Sequence, residues 1–341
     1  MWKVLIRLNK QLVIAIPVML VGGFLFGIWA EPATVKQLKG LILPLSFLMV
    51  YPMMVTLNIK HLKEGMNVPL QLTTQLINFG IIPFLAYGLG SIFFPAHPYL
   101  ALGLLLPALL PTSGMTISWT GFAKGNIGAA INMTVIGLTL GALSTPIYVQ
   151  WLLGAKVDVN IAQVVKQIVL IVFLPMFVGY VTRQALIGKY TMPVFKNDIA
   201  PKFPALSTLG VLGIVFVAMA LKSRGIMANP AILGVIFVPL LIIYGSYFVI
   251  GTLVGRIFFS RGDGIALVYG TAMRNLAIAL AIAINAFGSE GANAALVIAA
   301  SFIIQVQAAA WYVKLTSRIF GPAEVEVGGN DSGAQLSTVK G

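Results

Sequence analysis

Apolar runs of about 20 residues, the length a helix needs to cross the hydrocarbon of a bilayer, recur ten times along this 341-residue chain. They lie at about 12–30, 38–57, 70–94, 99–122, 127–153, 161–187, 204–221, 230–256, 264–287 and 293–316. This pattern predicts an all-α polytopic membrane protein with ten transmembrane helices. Two of the runs are interrupted. The fourth carries Pro107, Pro111, Thr112, Ser113, Gly114, Thr116 and Ser118 in close succession. The ninth carries Gly270-Thr271-Ala272-Met273-Arg274-Asn275 before Leu276-Ala277-Ile278-Ala279 resumes the helical pattern. Proline removes a backbone donor, and glycine weakens the turns around it. Backbone freed in this way is tolerated at membrane depth only where protein encloses it or a hydrated cavity meets it. Helices broken near the midplane are where secondary transporters hold their cargo.

The chain also echoes itself. Pro17 and Pro175, Pro83 and Pro239, and Gly114 and Gly270 pair at offsets of 158, 156 and 156 residues, in order along the chain. Five spans per copy is an odd number, so the second copy must be inverted relative to the first. The expected architecture is therefore a 5+5 inverted repeat whose broken helices 4 and 9 cross near the midplane. A single transmembrane transporter domain is expected over 1–320, with repeat one at about 5–154 and repeat two at about 161–318. Residues 321–341, polar and glycine-rich, are expected to form a disordered cytoplasmic tail.

Composition sharpens this reading. Hydrophobic residues make up 59% of the chain and charged residues 9%, against about 25% charged in a soluble domain. The mean hydropathy is +0.96. Cysteine is absent, which removes disulfides, thiolate metal sites and cysteine nucleophiles. No phosphate-binding loop, dinucleotide fingerprint or clustered metal-ligand spacing occurs, so no cofactor and no enzymatic activity are expected. The net charge of +13 belongs to loops rather than to a nucleic-acid partner. Fifteen Lys and Arg, among them Lys3, Lys124, Lys196 and Arg261, fall on the amino-terminal side of the ten spans, and six, among them Lys36, Lys156 and Lys222, fall on the other. By the positive-inside bias, both termini are expected in the cytoplasm and the protein in the cell membrane. The first apolar run is of full membrane length, so a cleavable leader is not expected.

Charge inside the spans is the candidate chemistry. All nine acidic residues fall in loops, at span edges or in the tail, which leaves no deep carboxylate to neutralise a cation or relay a proton. Arg274 alone among the basic residues lies deep in a span. A guanidinium there costs at least about 2.5–3.5 kcal/mol unless paired or hydrated. Its roles are two: donating to carbonyls orphaned where a half-helix ends, or gripping an anionic group with a bidentate fork. Thr112, Ser113, Thr116 and Ser118 place hydroxyls around the first break, and Asn132 and Thr134 follow on the fifth span. Such side chains either bond backbone or a neighbouring helix, or line a site. The candidate substrate-binding set is these six with Arg274 and Asn275. Asn78 and Gln305 are candidate helpers.

Together these residues resemble the bile acid:sodium symporter superfamily, which includes the arsenical-resistance permeases. Ala123-Lys124-Gly125-Asn126, with Thr134 and Ser144-Thr145-Pro146, is similar to the segment that closes the first broken helix in the symporters. So is the second motif, Thr271, Met273, Asn275 and Leu276-Ala277-Ile278-Ala279. Met53-Met54, Met115, Ile117 and Trp119 resemble the arsenite permeases. The resemblance implies sodium ligands at positions held here by Gly270 and Arg274, an asparagine where Ile117 stands, and a serine where Ala130 stands. Thr116 and Thr134 keep their type, and Asn78 stands for a glutamine. It also implies an essential arsenite-binding cysteine at the place of Thr112.

The expected function is alternating-access transport of a small organic anion across a lipid bilayer, without the usual sodium sites, by a monomer or a homo-oligomer. The alternatives are arsenite or antimonite efflux without the usual cysteine, and sodium-coupled anion symport with a relocated ion site. A ligand-sensing receptor on a carrier fold is disfavoured, because the 21-residue tail is too short for a signalling domain. Single cysteines introduced at Lys196 and Lys222 of this cysteine-free chain are expected to react with impermeant maleimide from opposite membrane faces. Reaction of both from one face would sink the ten-span arrangement.

Overall fold

A computed structural model of the chain describes residues 5, 11–56, 67–157, 159–228, 230–288 and 290–322. The tail expected at 321–341 lies outside the described residues from 323 onward. In order, the helices are α1 (Leu12–Trp29), α2 (Pro32–Thr56), α3 (Val68–Phe93), α4 (Pro98–Leu109), α5 (Gly114–Phe122) and α6 (Ile127–Leu153). There follow α7 (Ile161–Lys189), α8 (Lys202–Ala228), α9 (Ala231–Phe258), α10 (Arg261–Ala272), α11 (Leu276–Ala286) and α12 (Gly291–Phe320). Among the described residues there is no strand, only one isolated backbone bridge. Among the described residues seven helices are long and apolar enough to cross a membrane, and three shorter apolar helices accompany them. The chain is a multi-pass membrane protein.

Two limits differ from the apolar runs by about six residues or more. The second run starts at 38, yet the chain turns helical at Pro32, because proline at N1 is pre-set for a first turn. The seventh run ends at 221, yet α8 continues to Ala228. Lys222 and Arg224 stay helical there because their heads reach oxygens outside the helix, on Asn293 and on the Gly27 and Ala30 carbonyls.

Burial sorts the helices by length. In α4 every residue from Leu100 to Leu109 is buried, as is every residue of α10 from Gly264 to Ala272. A helix that is apolar on all sides belongs inside, and these short helices need not span the bilayer alone. Long helices surround them and turn Leu72, Ile147, Trp151, Leu253 and Trp311 outward, a lipid-facing surface. α8 packs along both α1 and α2, which together with α7 form one group. α4, α5, α10 and α11, with α3, α6, α9 and α12, form the other.

One proline in a long helix has a visible compensation. Pro83 cannot bond the Phe79 carbonyl four residues back. The chain adjusts with a π turn at Leu76–Ile81, and the Tyr148 hydroxyl donates to that carbonyl at 2.7 Å. Helices also meet through glycine. A Cβ on Gly255 of α9 would stand 2.9 Å from the Gly264 carbonyl oxygen and 3.0 Å from Gly264 Cα of α10. Gly255→Ala is therefore expected to lower stability by about 1–3 kcal/mol through overpacking. Gly245→Ala on the same helix, where the new Cβ meets nothing within 4 Å, is expected to be neutral or better. Thermal midpoints of the two variants in detergent check this, and equal midpoints would refute the close α9–α10 seam.

Candidate functional site

The interruptions of the fourth and ninth runs are where α4 gives way to α5 and α10 to α11. The connecting residues lie antiparallel, with Pro111 bridged to Arg274. Thr112 N–H donates to the Met273 carbonyl at 2.8 Å, and Asn275 N–H donates to the Leu110 carbonyl at 2.8 Å. Gln305 of α12 completes the junction like a second peptide. Its Oε1 accepts from Arg274 N–H at 2.8 Å, and its Nε2 donates to the Arg274 carbonyl at 3.2 Å. Asn78 Nδ2 donates to the Gly270 carbonyl at 3.1 Å, satisfying one orphan of α10. Water cannot reach these groups, so each needed a protein partner.

Each second half-helix starts on a side-chain cap. Ser113 sits extended, and its Oγ accepts from Met115 N–H at 3.2 Å, while Thr116 Oγ1 accepts from Ser113 N–H at 3.0 Å. This capping box uses Thr116 locally. Asn275 Oδ1 accepts from Ile278 N–H at 3.2 Å and caps α11. Thr112 holds φ at 65°, a left-handed conformation that strains a β-branched residue by about 1–3 kcal/mol. Its hydroxyl donates to the Pro111 carbonyl at 2.6 Å. Gly137 and Gly141 of α6 let the kinked chain lie close, since a Cβ at 141 would meet the Leu109 carbonyl oxygen at 2.7 Å.

Arg274 is 1% exposed. Its guanidinium stacks on the Tyr247 ring, 4.4 Å from the centroid, and Nη1 donates to the Ala108 carbonyl at 3.4 Å. Nε and Nη2 have no partner, and no carboxylate among the described residues bonds this group. The carbonyl it takes is not one of α10's own but an orphan of α4, so one arginine ties the two broken runs together.

Beside the junction lies a cavity of about 670 Å³. Ser113, Ser118, Thr134, Arg274, Asn275 and Gln305 of the expected set stand in its wall. Thr112, Thr116, Asn132 and Asn78 do not. Thr112, Thr116 and Asn78 are used in the backbone bonds above, and Asn132 is buried with its Oδ1 unpartnered. Thr134 donates to the Ala130 carbonyl at 2.7 Å, and Ser118 to the Gly114 carbonyl at 3.2 Å. The cavity lies between the two helix groups, with Met49, Met53 and Ser207 on one side and Met115, Trp119 and Phe302 on the other. Among the described residues that line it none is acidic, and Arg274 is the one that carries a charge. Ala108 and Tyr247, which the guanidinium contacts, are not in the wall. Sequence reasoning missed Tyr247, although Tyr244 and Tyr247 one turn apart in an aliphatic run were a visible signal. It also did not count the methionines as site residues.

Gln305→Leu keeps the side-chain volume but leaves the Arg274 N–H unpaired and its carbonyl with one partner fewer. At about 1–3 kcal/mol for each buried group left unsatisfied, it is expected to lower the thermal midpoint clearly. Gln307→Leu, two residues away and half-buried, is expected to leave it within experimental scatter. A drop equal in both variants would mean Gln305 does not hold the junction.

Comparison with known proteins places this geometry in a lineage. The model of the Sodium Bile acid symporter family matches residues 43–229. The uncharacterized protein YbaS of Bacillus subtilis is 25% identical over 235 residues, 68% of this chain and 75% of that protein. The arsenical-resistance protein Acr3 of Alkaliphilus metalliredigens is 28% identical over 212 residues, 58% of this chain and 59% of its own. The uncharacterized sodium-dependent transporter YocS of Bacillus subtilis is 24% identical over 276 residues, covering 76% and 82%. With more than half its length matched to a single family and its two broken helices joined beside one cavity, the chain belongs to the sodium bile acid symporter family of membrane transporters.

Proposed function

We propose that this protein carries a small organic monoanion by alternating access, without a sodium ion at the junction. The observation that carries the reading is Arg274, a guanidinium buried without a carboxylate partner among the described residues, next to a cavity whose described wall holds no acidic residue. An uncompensated buried charge is unfavourable, and an anion in the cavity relieves it. Two opposite charges about 8 Å apart at an effective dielectric of about 20 attract by about 2 kcal/mol. The N-termini of α5 and α11 open onto the same cavity and favour negative charge further. Sodium is disfavoured at Gly270, because a Cβ there would stand 2.6 Å from Met133 Sδ, so the thioether already fills the space a ligating side chain would need.

In this proposal one domain of ten spans is built as a 5+5 inverted repeat. The group of α1, α2, α7 and α8 rocks against the rest. Both termini lie in the cytoplasm, the protein lies in the cell membrane, and residues 1–320 form the single transporter domain, with or without self-association.

A second reading, arsenite or antimonite efflux, is favoured by the similarity to Acr3 and by the three thioethers in the wall. It is weakened because Thr112, which stands at the expected cysteine position, is fully buried with its hydroxyl on a backbone carbonyl and is not in the cavity wall.

Purified protein in liposomes is expected to take up carboxylates equally from sodium and potassium media. Arg274→Gln is expected to reduce uptake about tenfold, in line with 1.4 kcal/mol. Arg274→Lys keeps the charge and is expected to retain more than Gln does. Uptake seen only with a sodium gradient, or Lys and Gln equally inactive while well folded, would overturn the proposal.

A further inference from the structure

The first turn of α5 leaves one donor in weak hands. The N–H of Gly114, its first residue, donates to Met53 Sδ at 3.3 Å. A thioether is a weak acceptor. The next two N–H groups have better partners, the Ser113 hydroxyl at 3.2 Å and the Ser113 carbonyl at 2.9 Å. Met53 belongs to α2 and Gly114 to α5, and both line the cavity, so this bond crosses from one helix group to the other. The approach is close, since a Cβ at 114 would stand 3.0 Å from Met53 Sδ.

A second, independent observation points to a ligand. Asn275 caps α11 in the same wall, is 1% exposed, and has a side-chain nitrogen, Nδ2, without any partner. Each half-helix thus brings an under-used donor to one cavity. The rest of that cavity offers a long apolar wall, including Met115, Trp119, Phe122, Ile131 and Phe302.

We propose that Met53 is the specificity-determining residue of this cavity, holding the Gly114 N–H through its sulfur until the carboxylate of an apolar-bodied monoanion displaces it. Charge-assisted bonds to a carboxylate are roughly twice as strong as neutral ones, so the exchange runs toward the anion. A neutral ligand with no strong acceptor leaves the thioether in place. Because the displaced bond is a link between α2 and α5, occupancy of the site and release of the two helix groups become one event. This inference rests on the anion reading above and names how that same site chooses its ligand.

The test titrates benzoate into the purified full-length protein by calorimetry. Met53→Leu keeps the volume and removes the acceptor, and it is expected to bind benzoate roughly three- to tenfold more tightly than the parent, the span of one hydrogen bond. Met53→Gln supplies a stronger acceptor for the same N–H and is expected to bind more weakly than the parent. A residue that merely packs would not move affinity in these opposite directions. Should either variant fail to fold, the other still reads the sign. Parent and folded variants binding benzoate equally, or both variants binding more weakly, would overturn the role of Met53 and leave the anion site standing. No benzoate binding by any of the three would overturn both.

Discussion

The short antiparallel pairing of Leu110-Pro111-Thr112 with Met273-Arg274-Asn275 is the constraint on which the remaining structure depends. Two helices that stop inside an apolar bundle strand carbonyls and N–H groups where water cannot satisfy them, at several kcal/mol each. The breaks solve this by using one another, with two reciprocal bonds of 2.8 Å and the Gln305 amide acting as a third strand segment. Because each break finishes the other, neither half of the chain has a stable centre alone. The strain at Thr112 is held by the same bonds.

From that junction follow both the charge and the cavity. Arg274 takes part in the backbone pairing, so its side chain is carried to a fixed place, against Tyr247 and the last turn of α4. A ring face and one carbonyl attract a guanidinium without cancelling its charge, and the site is left electropositive. The restarting helices α5 and α11 begin at the junction and direct their N-termini to the same space. On the far side, α2 and α8 close the cavity with thioethers and hydroxyls, and the Ser207 hydroxyl rests on the Met49 carbonyl. A binding site between two helix groups is the arrangement that rocking of one against the other can expose to either side.

The departures from the family pattern also form a consistent set. Where the resemblance implies acidic or amide ligands for a cation, this chain has a glycine overlaid by Met133 sulfur and an arginine locked in the junction. Where it implies a cysteine, Thr112 spends its hydroxyl on the kink that makes the junction. The substituted residues therefore build the crossing rather than leaving its former ligand places open.

The sequence by itself determined the helical membrane class and the places where two helices break. Those features follow from short-range rules: the thickness of hydrocarbon sets run length, and proline and glycine set breaks. It did not determine which polar side chains meet the cavity. Thr112, Thr116, Ser113 and Ser118 read alike in one dimension, yet while all four bond backbone, only Ser113 and Ser118 also stand in the wall. Their partners depend on which chain segment lies opposite. The bonds that define the site join residues far apart in the chain, Met53 to Gly114, Ala108 to Arg274 and Arg274 to Gln305. Only tertiary packing decides such pairs, because a hydroxyl, a thioether or a buried guanidinium takes whatever partner the fold delivers, and hydrophobic periodicity carries no information about that delivery.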